Sequence, residues 1–466
     1  MNGRGRMKES GRMKGASAGM SIRSRLPVMV MMAAVCAACG RGGGTGGADG
    51  AMSMEVGAEQ TEQTSPVSGE GEVELTLWTY PVGGWGDRTT VSALLRDFRR
   101  AYPDIHITVE CVDYDTGDAR IEEAIQAGEA PDLVFEAPDR IVAGWGERGL
   151  MADLSDLWDT GGEGIYEQVR TACCSRDGSY PIFPVCMSAQ CMAVNYDLFK
   201  EAGALGYIDE ETRTWTTEDF IQAVKALKEH GQERVAVVYC GGQGGDQGTR
   251  GLVTGLYGGS FTDRDHTAYT VDSQENIRAL KLLYDLDGIV FDPAMVGSDE
   301  IAQFCRGELA MAFCWNGAFE VTQTIQNPEL DFSILPMAFP TPTGQPRLQS
   351  GIWGFGVFDN GDGAKLLAAK TFIRYMTEDQ GQYTRAVQAS HFWPVRDMPD
   401  IYANDALMQE YSIFIPYVGD YYQITPRWPQ ARTAWWEMLQ EIGEGADIAA
   451  AVRGFSAAVG EGEESP

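Results

Sequence analysis

The sequence predicts an α/β fold with two lobes, and three observations support that prediction. Residues 73–135 show strand and helix patterns in the order β-α-β-α-β, which favours a parallel sheet covered by helices. The alternation restarts after residue 190. The chain has 466 residues, of which 44% are hydrophobic, so it is long enough and apolar enough to build two large cores.

The first unit of the fold begins with a strand. Apolar and polar residues alternate over 73–77, which is the period of a half-buried strand. Over 91–98 the apolar residues recur at i, i+3, i+4 and i+7, which predicts a helix with one apolar face, and Pro103 follows as a stop signal. The same patterns predict a strand, a helix and a strand over 105–109, 121–125 and 133–135.

The second unit begins with a helix that Thr216 and Asp219 are suited to cap and whose apolar face lies over 220–227. A β-rich run over 235–239 follows and ends in a glycine-rich loop, a place where open sheets tend to bind ligands. We therefore count Asp246 in this loop as a candidate ligand-binding residue. Further helices are predicted over 273–286, 298–306 and 363–377, and a strand over 309–313.

Known catalytic motifs are missing from the predicted folded part of the sequence. The loop 241–251 (GGQGGDQGTRG) lacks the G-K-[ST] that would place a lysine on phosphate, so nucleotide binding is not expected. No H-E-x-x-H occurs, the G-x-S-x-G at residues 15–19 lies in the N-terminal leader rather than at a strand-to-helix turn of the folded part, and the four histidines lie far apart. A secreted glycoside hydrolase stays open as an alternative, because it needs only two carboxylates and the chain has 67 acidic residues. We expect a protein that is not an enzyme and holds no cofactor.

The formal net charge of −31 repels phosphate groups and anionic lipid headgroups. Nucleic acid and membrane surfaces are therefore excluded as ligands, and a neutral or cationic ligand is favoured. Of ten cysteines, eight lie beyond the N-terminal leader described next, and their pairing as disulfides or free thiols is open. No C-x-x-C pair faces another, so we expect no metal site.

The N-terminus resembles an exported-lipoprotein leader. Arg23 and Arg25 precede an apolar run that is too short to span a bilayer and ends in small residues at 37–40 (AACG), similar to a bacterial lipobox. The resemblance implies a lipoprotein signal peptide and lipobox over 1–39, with Cys39 as the lipidated first residue after cleavage, and an ordinary secreted protein cut nearby is the alternative. Residues 40–72 are almost devoid of apolar side chains and predict a disordered tether. The folded part would then lie outside the cytoplasm, anchored by lipid alone.

An aromatic-rich stretch lies near the C-terminus. Residues 411–436 contain eight aromatics, whereas the whole chain is 10% aromatic. They are mixed with Pro, Gly and polar residues, a composition typical of a ligand-facing surface. Adjacent helical positions face about 100° apart, so Trp435 and Trp436 are not both expected to touch one ligand.

Several segments, taken in order, resemble an extracellular solute-binding protein of an ABC importer, in the carbohydrate-binding group that includes maltose-binding protein. The segments are 98–107 (FRRAYPDIHI), 130–135 (APDLVF), 148–154 (RGLMADL), 194–203 (VNYDLFKEAG), 214–220 (TWTTEDF), 306–312 (RGELAMA) and 350–356 (SGIWGFG). The resemblance implies a two-lobed periplasmic-binding-protein-like fold, in which each lobe is a mixed sheet flanked by helices and a hinge closes a central ligand cleft. It implies an N-terminal lobe over 73–187 plus 336–395 and a C-terminal lobe over 188–335 plus 396–460.

Two segments resemble maltose-binding protein more closely. The first, 137–140 (APDR), implies that Asp139 and Arg140 hydrogen-bond sugar hydroxyls, and the second, 428–436 (WPQARTAWW), implies that Trp435 stacks on a sugar ring. Glu136 stands where that family has a tryptophan, and Ser188 where it has a glutamate, so maltose itself is not the expected ligand. The remaining residues predicted to line the cleft are Tyr80, Trp85, Trp315, Asn316 and Trp353.

These observations predict a monomeric, lipid-anchored receptor that captures a carbohydrate, with an oligosaccharide favoured, and delivers it to separate ABC permease subunits. No bond would be made or broken. The alternatives are the secreted glycoside hydrolase and a binding protein for a peptide or polyamine, which the acidic composition would suit.

Overall fold

The computed structural model describes residues 71–114, 116–242 and 244–460. The predicted leader with Cys39, and the tether up to residue 70, lie outside these ranges. No helix in the described ranges is long and apolar enough to cross a membrane. The strands are β1 Val73–Thr79, β2 Ile105–Cys111, β3 Leu133–Glu136, β4 Ile182–Ala189, β5 Cys191–Asn195, β6 Ala236–Tyr239, β7 Ile289–Asp292, β8 Met311–Trp315, β9 Ile334–Met337, β10 Ser350–Val357 and β11 Trp393–Pro394.

Helices connect and cover these strands. They are α1 Arg88–Ala101, α2 Gly117–Ala127, α3 Pro138–Arg140, α4 Ser155–Gly161, α5 Glu167–Cys173, α6 Tyr196–Glu201, α7 Thr217–His230, α8 Gln247–Leu256, α9 Gln274–Asp285, α10 Gly297–Cys305, α11 Gly317–Gln326, α12 Gly363–Glu378, α13 Gln380–Ser390, α14 Ala406–Tyr411, α15 Trp428–Gly443 and α16 Ile448–Gly460. Short 3-10 segments lie at Gly83–Gly86, Ala204–Tyr207, Ser412–Tyr417 and Tyr422–Ile424, and a π-helical turn at Ile141–Gly146.

The larger lobe is built on a six-stranded sheet with the strand order β11-β4-β10-β3-β1-β2. Strand β1 runs parallel to both β2 and β3, as the β-α-β-α-β pattern predicts. Strand β10 enters from much later in the chain and runs antiparallel to both β3 and β4, so the sheet is mixed. Helix α1 covers it with the predicted apolar face, since Val91, Leu94, Leu95 and Phe98 are all buried.

The smaller lobe contains two sheets. One is three-stranded and antiparallel, with the order β8-β5-β9, and the other is the parallel pair β6-β7. The predicted start of α7 is confirmed, because the Thr216 hydroxyl accepts from the Asp219 backbone N–H at 3.1 Å and the Asp219 carboxylate accepts from the Thr216 N–H at 3.2 Å. This reciprocal cap fixes the first turn of the helix.

The chain passes between the lobes at the ends of β4 and β10. Only Gln190 separates β4 of the large sheet from β5 of the small one, and β9 of the small sheet is followed by β10 of the large one. Mixed sheets, helical layers and repeated crossings confirm the predicted fold class. All eight cysteines in the described ranges are free thiols, and burial raises the pKa of Cys186 to about 12.

Candidate ligand cleft

The floor of the candidate cleft lies where the chain crosses between the lobes. It consists of the buried polar residues Ser188, Gln190, Asn316, Gln349 and Ser350. The Gln190 backbone N–H donates to the Gln349 carbonyl at 3.3 Å, and the Asn316 amide donates to the Gln190 side-chain oxygen at 3.3 Å. Asn316 also caps α11, because its oxygen accepts from the Phe319 N–H at 3.0 Å. Residues from both lobes thus form one polar surface.

Two polar atoms of this floor lack a partner among the residues that the structure describes. They are the Gln349 amide nitrogen and the Ser350 hydroxyl oxygen, and both are enclosed. A buried donor that stays unpaired costs about 1–3 kcal/mol, so native proteins usually satisfy such groups with protein, water or ligand. The floor can therefore donate to oxygen atoms of a bound molecule.

The first wall consists of Tyr80, Asp118, Glu136, Asp139 and Arg140, at the ends of β1 and β3 and at the start of α2. The Arg140 guanidinium donates to both Asp118 oxygens, at 2.8 and 3.0 Å, and to Glu136 at 3.2 Å. It lies 5.1 Å from the centre of the Tyr80 ring, and the Tyr80 hydroxyl donates to Asp118. The predicted residues Tyr80, Glu136, Asp139 and Arg140 are thus brought together.

The second wall consists of Asp246, Arg250, Tyr421, Tyr422 and Arg432. Asp246 accepts from Arg432 at 3.0 and 3.2 Å and also from Arg250. Although burial acts to raise the pKa of Asp246, the two guanidinium groups hold it below its ordinary value. Arg250 donates to the Tyr422 hydroxyl at 3.1 Å, and that hydroxyl donates to Gln349 at 2.7 Å. The second wall is therefore bonded directly to the floor.

The two walls meet at Asp139 and Tyr421. The Tyr421 hydroxyl donates to the Asp139 carboxylate at 3.0 Å and accepts from the Asp139 backbone N–H at 3.3 Å. The next residue, Tyr422, is anchored in the smaller lobe because its ring stacks on Phe261 with centroids 5.2 Å apart. The cleft is closed at this point.

Three tryptophans predicted to line the cleft lie in the core instead, so we remove them from the candidate site. Trp85 stacks on Phe135 at 4.1 Å and its indole N–H donates to the Ala386 carbonyl. Trp315 donates to the Tyr411 hydroxyl at 2.7 Å. Trp435 is 1% exposed and donates to the Thr249 hydroxyl at 3.0 Å. In each case the ring is enclosed and its only polar atom is already bonded within the protein.

Trp353 has a different environment from the other three. It is partly exposed and stacks on Phe392, with centroids 4.7 Å apart and planes at 16°. Its ring leans over Gly351, where an added Cβ would lie 2.5 Å from the ring edge and 3.0 Å from the Ser188 hydroxyl. Trp353 and Ser188 therefore share one patch at the edge of the floor, and both stay in the candidate site.

Sequence reasoning missed several residues of the site. Tyr421, Tyr422 and Arg432 lie inside the aromatic stretch 411–436, so their region was predicted although their individual roles were not. Asp118 and Gln349 carry no local signal, because only the fold brings them to Arg140 and Tyr422.

Buried glutamates predict a pH dependence of stability. Burial raises the pKa of Glu136 to about 8, against the opposing effect of Arg140, and burial likewise raises that of Glu300 to about 8. A carboxyl whose folded-state pKa is raised stabilises the fold fully below its unfolded-state value and loses that contribution as pH rises through the folded-state value. Each such carboxyl contributes about 1.4 kcal/mol per pH unit, so we expect the two together to lower the free energy of unfolding by up to about 2.7 kcal/mol per pH unit between about pH 5 and 8.

Urea unfolding of the wild type and of Glu136→Gln across this range tests that prediction. The Gln variant mimics the protonated acid, so its stability should fall less steeply with pH. The exposed Glu129→Gln should keep the wild-type slope. Stability that rises with pH in the wild type would contradict the prediction.

The mixed two-lobed fold and the polar cleft at the lobe crossings define the class of two-lobed solute-binding receptors. A profile of the bacterial extracellular solute-binding proteins matches residues 93–414, and the chain belongs to that family. Among curated proteins, none matches this sequence.

Solved structures show the same fold at low sequence identity. An ABC substrate-binding protein from Listeria monocytogenes in complex with cycloalternan is 16% identical, with a TM-score of 0.64 over 84% of this chain and 98% of that one. Maltose-bound MalE3 from T. maritima is 17% identical, with a TM-score of 0.66 over 83% and 99%. UgpB from Mycobacterium tuberculosis in complex with glycerophosphocholine is 16% identical, with a TM-score of 0.65 over 83% and 97%.

Proposed function

We propose that this protein is the lipid-anchored substrate-binding component of an ABC importer, and that it captures a carbohydrate by hinge closure and delivers it to a permease. The observation that best supports the ligand class is the floor, where the Gln349 amide and the Ser350 hydroxyl are enclosed without partners. Sugar hydroxyls supply acceptor oxygens without bringing a charge into the cleft. Similar structures hold cycloalternan and maltose, which fits this class.

The hinge would lie at Gln190 and at the passage from β9 to β10, with lobes over 73–187 plus 336–395 and 188–335 plus 396–460. A ligand that touches both walls only in the closed form shifts the population toward that form by its differential affinity. Anchoring would come from Cys39, with residues 40–72 as a tether that leaves the receptor free to meet its permease. The receptor would act as a monomer, and its cleft would make or break no bond.

The arrangement of the carboxyl groups supports binding over hydrolysis. A glycoside hydrolase needs two carboxyl groups that face the scissile bond. Glu136 and Asp139 lie at 3.2 and 3.4 Å from the Arg140 guanidinium, and Asp139 also bonds Tyr421. Carboxyl groups held in this way are suited to positioning polar neighbours. Incubation with a glycan panel should therefore release no reducing ends.

A second ligand class has an observation in its favour. Carboxyl groups outnumber guanidinium groups in the two walls, which would also suit a cationic ligand such as a polyamine. The donors of the floor favour the carbohydrate, because an ammonium group has no acceptor to offer them.

A thermal-shift screen separates these ligand classes. Wild-type protein is heated with maltotriose, acarbose, ribitol, tagatose, glycerophosphocholine, spermidine or a tetrapeptide. At a hundred times its Kd a ligand adds about 2.7 kcal/mol, which should raise Tm by about 5 °C. We expect this with at least one saccharide. Shifts with spermidine or the tetrapeptide alone would overturn the carbohydrate proposal.

A further inference from the structure

The two walls of the cleft differ in charge. The first wall holds one guanidinium group, that of Arg140, among three carboxyl groups. These belong to Asp118, Glu136 and Asp139, whose oxygens lie 2.8, 3.2 and 3.4 Å from Arg140 nitrogens. In the second wall a single carboxylate, that of Asp246, accepts from two guanidinium groups. The first wall is therefore the acidic side of the cleft.

The first wall keeps a surplus of carboxyl groups even when Glu136 is protonated. Burial raises the pKa of Glu136 to about 8, so its carboxyl is largely neutral at pH 7. Asp118 and Asp139 then still share the single guanidinium of Arg140. Although burial acts to raise the pKa of Asp118, Arg140 and Arg432 hold it below its ordinary value. Arg432 belongs to the second wall, so Asp118 lies within its reach across the cleft.

A tyrosine ring beside the first wall adds a second attraction for positive charge. Tyr114 is 44% exposed, and its hydroxyl lies 3.5 Å from Glu136. The Arg140 guanidinium lies 5.4 Å from the centre of this ring and 5.1 Å from that of Tyr80. Carboxylates and ring faces both attract cations, so the wall already stabilises one cation in two ways. A cation on the exposed part of Tyr114 would meet the same two attractions.

The floor of the cleft makes a different demand on the ligand. Its enclosed Gln349 amide and Ser350 hydroxyl have no partner among the residues that the structure describes, and they can donate to acceptor oxygens. A polyamine has no such oxygen to offer. A neutral sugar has the oxygens but leaves the surplus carboxyl group of the first wall without a cation. A ligand with hydroxyl groups and an ammonium group would satisfy both surfaces.

We propose that the ligand is an amino sugar, whose protonated amine lies against Asp118 and the neighbouring Tyr114 while its hydroxyl oxygens accept from the floor. This inference rests on the proposed function and narrows the class of carbohydrate. The formal net charge of −31 would also raise the concentration of a cationic ligand near the protein. A neutral sugar of the same shape should bind more weakly.

Isothermal titration with matched saccharides tests this assignment. The β-1,4-linked glucosamine dimer, its N-acetylated form and cellobiose share one scaffold, and glucosamine and galactosamine are each compared with the neutral hexose. Titration at about pH 6 keeps the amines protonated, since an α-amino group has a pKa of about 7.7–8. We expect at least one amino saccharide to bind about tenfold or more tightly than its neutral counterpart. Salt should reduce this preference, because it screens the attraction between charges.

Three variants locate the amine. Asp118→Asn keeps an oxygen that can accept from Arg140 but removes the charge, so the preference for the amine should fall to within about threefold. Tyr114→Leu loses the ring face and should lower the preference by about threefold. Asp159→Asn, at an exposed position of α4, is the matched control and should keep the wild-type preference. Thermal unfolding identifies any variant that is not folded, and the ligand series on the wild type does not depend on the variants.

The outcomes separate this inference from the proposed function. If a neutral or N-acetylated saccharide binds the wild type as tightly as its amino counterpart, or binds when no amino saccharide does, only the amine assignment is wrong. If no saccharide binds, including those of the thermal-shift screen, the proposed function fails and the assignment fails with it. If folded Asp118→Asn keeps the full preference for the amine, the amine does not lie at the first wall and the inference is overturned.

Discussion

Replacing Asp246 by Ala is expected to lower the free energy of unfolding by about 3–5 kcal/mol. Asp246 is 2% exposed and accepts from two guanidinium groups, one of which, Arg250, is fully buried. Its loss leaves Arg250 buried without a carboxylate to balance its charge, and that desolvation cost accounts for most of the effect. Urea unfolding followed by tryptophan fluorescence would measure the loss.

The control for this substitution is an exposed ion pair. Glu308 lies 2.6 Å from Arg306, and both side chains are about half exposed. Glu308→Ala should therefore change stability by less than about 1 kcal/mol, because solvent screens an exposed pair. A loss below that limit for Asp246→Ala as well would show that the carboxylate does not compensate Arg250.

Trp435→Ala is expected to lower the free energy of unfolding by about 3–5 kcal/mol, the usual range for deleting a large buried aromatic. The substitution removes a ring that is 1% exposed, together with the hydrogen bond that its N–H donates to the Thr249 hydroxyl. The expected signature is a lower urea midpoint with saccharide affinity retained in the folded fraction. If Trp435→Ala unfolded at the wild-type urea concentration, its assignment to the core would be wrong.

Local patterns predicted the helices and early strands well, because the signals for them are local. The apolar face over 91–98 lies within α1, and the predicted helix 273–286 differs from α9 by one residue at each end. The Thr216 and Asp219 cap was visible in the sequence because both partners lie within one helical turn. Periodicity and capping involve only neighbours in the chain.

Strand β10 shows where such reasoning stops. Its sequence contains three glycines, which weaken a strand, yet it becomes the strand between β3 and β4. An added Cβ at Gly354 would lie 2.2 Å from the Phe183 carbonyl oxygen, so the absence of a side chain is what admits the neighbouring strand. That requirement comes from a residue 171 positions away and leaves no mark in the local pattern.

The same limit applies to the cleft. The segment 137–140 predicted Asp139 and Arg140 as cleft residues. Their position just after β3 follows from the local order of elements. Trp85 and Trp315 were predicted to line the cleft, but they lie in the core. An aromatic residue gives the same sequence signal in both places. What separates them is the tertiary packing, which encloses both rings here and pairs the indole N–H of Trp85 with the Ala386 carbonyl.

The contact between Tyr421 and Asp139 also bears on how fast the receptor loads. A hydrogen bond to a charged group contributes about 1.5–3 kcal/mol. If this bond alone set the equilibrium between the closed and open forms, only about one ligand-free molecule in ten to one in a hundred would be open at any instant. Ligand uptake would then be limited by that open fraction. A single tyrosine hydroxyl would therefore slow the association of the ligand.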